Sequence, residues 1–311
     1  MRARLFMALL TLSASPLTAQ TAEAPYLIRE RGEAYDNLQE AVHAIGDGSG
    51  TIVIAPGTYR DCAVQEGGRI SFIAATPGTV TFDGRICEEK AALVLRGKST
   101  RIEGITFQNL RVADGNGAGI RLEEGDLIVT ESLFRDSESG ILGGNSKDSS
   151  IRVERSTFSR LGRCDRDLAC AHSIYIGEYG SLSVVRSRFE KGSGGHYVKT
   201  RTPRIEVVDS SFDDTAGTAT NYMIDLSHGA TGTIARNTFV QGKDKENYSA
   251  LIFVAGEGVE NSSNGLVITD NEASAAPGFD KDTSFVADMS GHRIRIENNR
   301  LAARIARYEK R

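Results

Sequence analysis

DLIVTESLF (126–134), SIRVERSTF (150–158), SLSVVRSRF (181–189), RIEVVDSSF (204–212) and TGTIARNTF (231–239) are variants of one phrase. Each ends in phenylalanine, carries Ser or Asn two positions earlier, and has an aliphatic residue five before its end, at Val129, Val153, Val184, Val207 and Ile234. The frame extends upstream through RIEGITF to Phe107 and downstream through LVITDNEA to Ala273 and RIRIENNRL to Leu301. Successive anchors lie 27, 24, 31, 23, 27, 34 and 28 residues apart, which is the length of one coil of a solenoid. Within each unit apolar residues alternate, as in strands with one buried face, and the pattern breaks at Gly, Asn, Asp or Ser.

Helical spacing is convincing only in YDNLQEAVHAIGDG (35–48), where Leu38, Ala41, Val42 and Ile45 share a face and glycine follows. A stack of strands leaves its first coil with an open edge, and a short amphipathic helix before GTIVIAPGTY covers it. Composition agrees, because 33 glycines against 6 prolines and no tryptophan favour many tight turns over long helices. A net charge of −4 gives no electrostatic support for a nucleic-acid partner.

The first residues, MRARLFMALLTLSASPLTAQ, have the flanks of a secretory signal: Arg2 and Arg4, an apolar stretch from Leu5 to Leu12, and small residues before Gln20. The apolar stretch is too short to span a bilayer, and no later segment is apolar enough to do so. The expected division is a signal peptide over 1–19, an N-terminal extension over 20–35, a β-helix domain with its cap helix over 36–303, and a basic tail or cap over 304–311. Export to the periplasm or the medium makes the four cysteines candidates for disulfides.

The helix leading into TIVIAPGTYRD, followed by coils ending in S-x-F or N-x-F, resembles the right-handed parallel β-helix proteins of the pectate lyase-like superfamily. The resemblance covers residues from about 36 to 303 and implies an all-β, single-domain right-handed parallel β-helix of about ten coils with an N-terminal capping helix. It is specific for fold and not for activity, since that superfamily includes lyases, hydrolases, epimerases, esterases and binding modules. A calcium ion is common among its members, but no spacing of Asp, Glu or Asn here assigns ligands, and no metal site is read. Cys62 and Cys87 are 25 residues apart, close to one coil, and are expected to pair across neighbouring rungs. Cys164 and Cys170, within CDRDLAC, are expected to close an inserted loop.

Ahead of each S-x-F strand lies another, aligned as GIRLEEG, GILGGN, HSIYIGEYG, HYVKTRTP, YMIDLSHG and LIFVAGEG. If Ile174 and Ile176, Val198 and Thr200, and Ile224 and Leu226 point inward, then Tyr175, Lys199 and Asp225 point outward on three successive rungs. Arg201 follows on the same face. His172, His196 and Tyr222 form a second column, and His228 follows in the turn after Asp225. A salt-bridged, solvated sheet face is the bland alternative. The concentration of three of the five histidines between 172 and 228 favours a site.

The chemistry this set fits is β-elimination on a uronate-containing polysaccharide. Neutralising the carboxylate acidifies the C5 proton, so a cation and a base must share one side of the sugar. Arg201 offers the bidentate partner for the carboxylate. Lys199, its pKa lowered by Arg201 and flanked by Tyr175, is the expected base, with His172, His196 or Tyr222 as alternative base or as acid. Asp225, with Tyr222 and His228, is expected to orient Lys199 or bind sugar hydroxyls. C5 epimerisation uses the same groups. Glycoside hydrolysis needs a second carboxylate, which Asp225 lacks in its columns. A non-catalytic carbohydrate-binding solenoid is the reading from another class. The expected partner is an acidic polysaccharide, met by a monomer with no membrane span.

Overall fold

The computed structural model describes residues 24–311, so the expected signal segment lies outside the described residues. The chain winds as a right-handed parallel solenoid in which every coil contributes one strand to each of three sheets, with ten parallel strands per sheet. One rung shows the pattern: Tyr179–Val185 lies in the first sheet, Arg188–Glu190 in the second and Val198–Thr200 in the third.

The repeated phenylalanine is the inward residue of the second sheet. Phe107, Phe134, Phe158, Phe189, Phe212 and Phe239 pair in register, continued by Ala273 and Leu301, so all eight anchors of the sequence frame fall in one column. Their rings stack at centroid distances of 4.8 to 5.1 Å from Phe107 to Phe239, the separation that adjacent strands impose.

The Ser or Asn two residues earlier turns the corner between the first and second sheets. It is buried, and its side-chain oxygen accepts the backbone N–H of the matching residue one rung before, as Ser156 does from Ser132 (3.2 Å) and Asn237 from Ser210 (2.9 Å). The residue ahead of it takes a left-handed backbone conformation, with φ of 50° at Glu131, 47° at Arg155 and 54° at Asp209. Non-glycine residues adopt this conformation at a cost, and the corner ladder offsets it while sparing buried N–H groups from going unpaired.

The helix runs from Leu38 to Ile45, capped by Asn37, whose side chain accepts the Glu40 N–H, and ended by Gly46 at φ 59°. The four residues expected on its apolar face are the buried ones. The first edge is also closed from the extension: Tyr26–Ile28 pairs antiparallel with both Ser49–Ile54 and Glu33–Tyr35, reversing the strand direction at that end of the first sheet. At the other end the basic stretch expected as a tail is instead a strand. Ile305–Lys310 pairs with Thr283–Asp288 as the last member of the third sheet. Four of its six residues are exposed and Ile305 is buried. Disulfides join Cys62 to Cys87 and Cys164 to Cys170, the pairing expected from the repeat. Among the described residues no helix is long and apolar enough to cross a membrane.

Candidate functional site

The middle of the third sheet builds the site. Ile174–Ile176, Val198–Thr200 and Ile224–Leu226 pair so that Tyr175 lies against Lys199 and Lys199 against Asp225. The flanking Ile174, Ile176, Val198, Thr200, Ile224 and Leu226 are fully buried, which turns the three central side chains outward onto one column.

Outward does not mean open to water. Lys199 is 7% exposed and Asp225 3%. Lys199 Nζ donates to Asp225 Oδ2 at 2.9 Å and to Glu257 Oε1 at 2.5 Å. Arg201 reaches the other oxygen of Glu257 through Nε (3.1 Å) and Nη2 (2.5 Å), and its Nη1 donates to the Tyr175 hydroxyl. The Tyr175 ring underlies both cations, 5.7 Å from Lys199 Nζ and 5.2 Å from the Arg201 guanidinium carbon. Ser227 Oγ donates to Asp225 Oδ2 at 3.0 Å.

Glu257 is the member that the sequence reading misses. It lies inside the aligned segment LIFVAGEG but past its strand, in the turn after Ala250–Val254, within the coil whose 34-residue spacing is the longest of the series. That excess length, with AGEG interrupting the alternation, was the available signal. Its presence corrects the expectation that Asp225 has no carboxylate partner, because both carboxylates meet on one Nζ. It also reverses the expected titration of Lys199. Burial pulls the ammonium down, but Asp225 and Glu257 more than offset this and leave its pKa above the ordinary lysine value, so Lys199 is a cation and not a base. Burial, the largest single influence, raises Glu257, and the hydrogen bonds and charges of Lys199 and Arg201 together outweigh it and bring the pKa down to about 2. For Asp225, burial prevails over Lys199 and Ser227 and raises its pKa.

Beside this column stands the row of rings. His172 stacks on His196 at 4.9 Å, His196 on Tyr222 at 5.4 Å, and Tyr222 meets Phe253 at 4.7 Å. The His196 backbone N–H donates to His172 Nδ1 at 3.0 Å, which places the proton of neutral His172 on Nε2. Burial, with the charge of Lys199 next, pulls His196 down to about 3. Burial and His196 hold His172 well below its ordinary value, so both rings are neutral. His196 Nε2 lies 3.5 Å from Asp225 Oδ2, while His196 Nδ1 and Asp225 Oδ1 are buried without a hydrogen-bond partner. The Tyr222 hydroxyl accepts from Asn247 Nδ2 at 2.7 Å. His228 stands apart from both columns. It lines a cleft of about 200 Å³ with Lys147, Glu178, Arg201 and Glu260, so the cluster opens to the surface through Arg201.

Among the described residues, the group with metal-ligand spacing is Cys164, Cys170 and Glu246, whose sulfurs are joined to each other and are not free as thiolate ligands.

The model of the right handed beta helix region matches residues 91–301. The chain belongs to that family. Among solved structures, this β-helix protein is similar to ORF18 of Geobacillus virus E2, with 12% identity and a TM-score of 0.49 over 85% of this chain and 59% of that one. It is also similar to a pectin methylesterase from Aspergillus niger, with 11% identity and a TM-score of 0.43 over 94% of this chain and 87% of that one. The β-helix protein thus spans about six-tenths of the viral chain's length. Comparison with curated proteins gives no match.

Proposed function

We propose that the protein is an exported carbohydrate-active enzyme that cleaves a uronate-containing polysaccharide by β-elimination. One observation carries this reading: Lys199 and Arg201 together grip a single carboxylate, that of Glu257, with three N–H donors at 2.5 to 3.1 Å. A substrate carboxylate held by the same fork has its charge neutralised, which acidifies the adjacent C5 proton. The base role leaves Lys199 and passes to Tyr175, whose hydroxyl accepts from Arg201 and which, unlike the more deeply buried Lys199, His172 and His196, is only partly covered. Tyr175, reacting as its phenolate, takes the C5 proton, the C–H electron pair forms the C4–C5 double bond, and the C4–O bond breaks. The phenol so formed gives that proton to the leaving oxygen, which returns Tyr175 to its starting form. The two disulfides accord with export to an oxidising compartment.

Hydrolysis is the second reading, because Asp225 and Glu257 share one lysine and their titrations are driven apart. It ranks behind because Asp225 is 3% exposed and its Oδ2 is already held by Lys199 and Ser227. Incubation with a panel of acidic polysaccharides separates the readings by product. Unsaturated uronate, seen by its ultraviolet absorbance, supports elimination; reducing ends without it support hydrolysis; binding without product removes catalysis. Full lyase activity in Arg201→Ala and Lys199→Ala would falsify the site.

A further inference from the structure

We propose that Glu257 is an internal stand-in for the ligand carboxylate, and that an acidic sugar enters the Lys199–Arg201 fork by displacing it. This rests on the reading of the fork as a uronate site and adds how the site is opened.

The geometry of the contact supports an exchange of like for like. Glu257 accepts three donors from two cations, using one oxygen for Lys199 and the other for Arg201. A uronate carboxylate presents the same two oxygens. The two cations also differ from their partner in cover: the Lys199 side chain is 9% exposed and that of Glu257 is 39% exposed. The nearly buried lysine is therefore held by a glutamate whose own side chain is partly open to solvent.

The backbone under Glu257 is fixed. Its N–H donates to Ser227 O at 2.9 Å, and the same turn is tied further on by Asn261, whose side-chain amide donates to Arg201 O at 3.0 Å and to Gly229 O at 3.1 Å. The exchange is therefore a rotation of one exposed side chain, with no rearrangement of a loop. After Glu257 leaves, Lys199 keeps Asp225 and Arg201 keeps Tyr175, so neither cation is stranded before the ligand arrives. A neutral sugar has no group that competes for the fork, so the latch also selects for charge.

Titration calorimetry at low ionic strength, with monomeric galacturonate and with galactose as the neutral control, tests this. Glu257→Gln keeps the shape and removes the charge. It is expected to bind galacturonate about tenfold or more tightly than the natural protein, with galactose unaffected. Glu257→Ala, which has no amide to hold Arg201, is expected to show the same gain, and adding Arg201→Ala to either variant is expected to abolish it. Thermal melting establishes that each variant is folded. Equal or weaker galacturonate binding by both folded Glu257 variants overturns the proposal. The two ideas fail separately: tighter binding without cleavage of any polymer removes β-elimination and keeps the displacement, whereas cleavage with no gain on removing Glu257 does the reverse.

Discussion

Lys199 Nζ stands 2.9 Å from Asp225 Oδ2 in a position where both side chains are almost wholly withdrawn from water. Lys199 keeps Glu257 if Asp225 is lost, but Asp225 without Lys199 keeps only the hydrogen bond from Ser227. Lys199→Met is therefore expected to lower unfolding free energy by about 3–5 kcal/mol, while adding Asp225→Leu recovers most of that loss, since two apolar groups need no pairing. Urea unfolding of the single and double variants checks this, and a loss below about 1 kcal/mol for Lys199→Met, the range of an exposed pair, contradicts the burial described.

His196 makes acid stability a readout of the ring column. Its folded pKa, about 3, lies below the ordinary 6.5, so the contribution is present above pH 6.5 and is lost as pH falls toward 3. Each pH unit below 6.5 is expected to cost about 1.4 kcal/mol through this side chain. His196→Gln removes that slope. The window between pH 6.5 and 5 is the informative one, because it lies above the titration of carboxylates such as Glu257. Denaturant midpoints of both proteins that fall in parallel through this window refute the assignment.

The phenylalanine column carries much of the core. Phe189 and Phe212 stack at 4.8 Å with planes 2° apart and are fully buried, so Phe212→Ala is expected to cost about 3–5 kcal/mol. Phe212→Leu, which keeps most of the volume, should cost much less. Thermal or urea unfolding measures both, and similar losses for the two variants would show that stacking matters more than filling.

Tyr175 separates chemistry from binding. On a polymer that the natural protein cleaves, Tyr175→Phe is expected to lower kcat about 10²-fold or more with KM little changed, because the ring under the cations is retained and the hydroxyl is not. Arg201→Lys is expected to raise KM instead, since a single ammonium cannot reproduce the two-pronged contact. Steady-state kinetics distinguishes the two patterns, and a Tyr175→Phe enzyme with undiminished kcat moves the base elsewhere.

The repeat made the fold and two of the site's columns legible, because one side chain per rung at a constant place in the phrase is a statement about stacking. Phe107 through Leu301 and Tyr175, Lys199 and Asp225 fall into register for that reason. Glu257 obeys no such rule. It belongs to a turn of variable length, and its approach to Lys199, 58 residues away in the chain, is set by the path of that turn. The titration of Lys199 was misread for the same cause, since its sign depends on a neighbour that the period does not place. Ile305–Lys310 escaped notice as a strand because its exposed, charge-rich face lacks the alternation that marks a covered rung.

The corner ladder of Ser132, Ser156, Ser187 and Ser210, passing to Asn237, Asn271 and Asn299, ties each level to the next by the same bond. Levels are thus interchangeable units of length. A whole unit spliced in or out before residue 172 changes the rod by about 4.8 Å and leaves Tyr175, Lys199, Asp225 and Glu257 as neighbours, whereas a unit inserted between 175 and 199 drives Tyr175 and Lys199 apart by that distance.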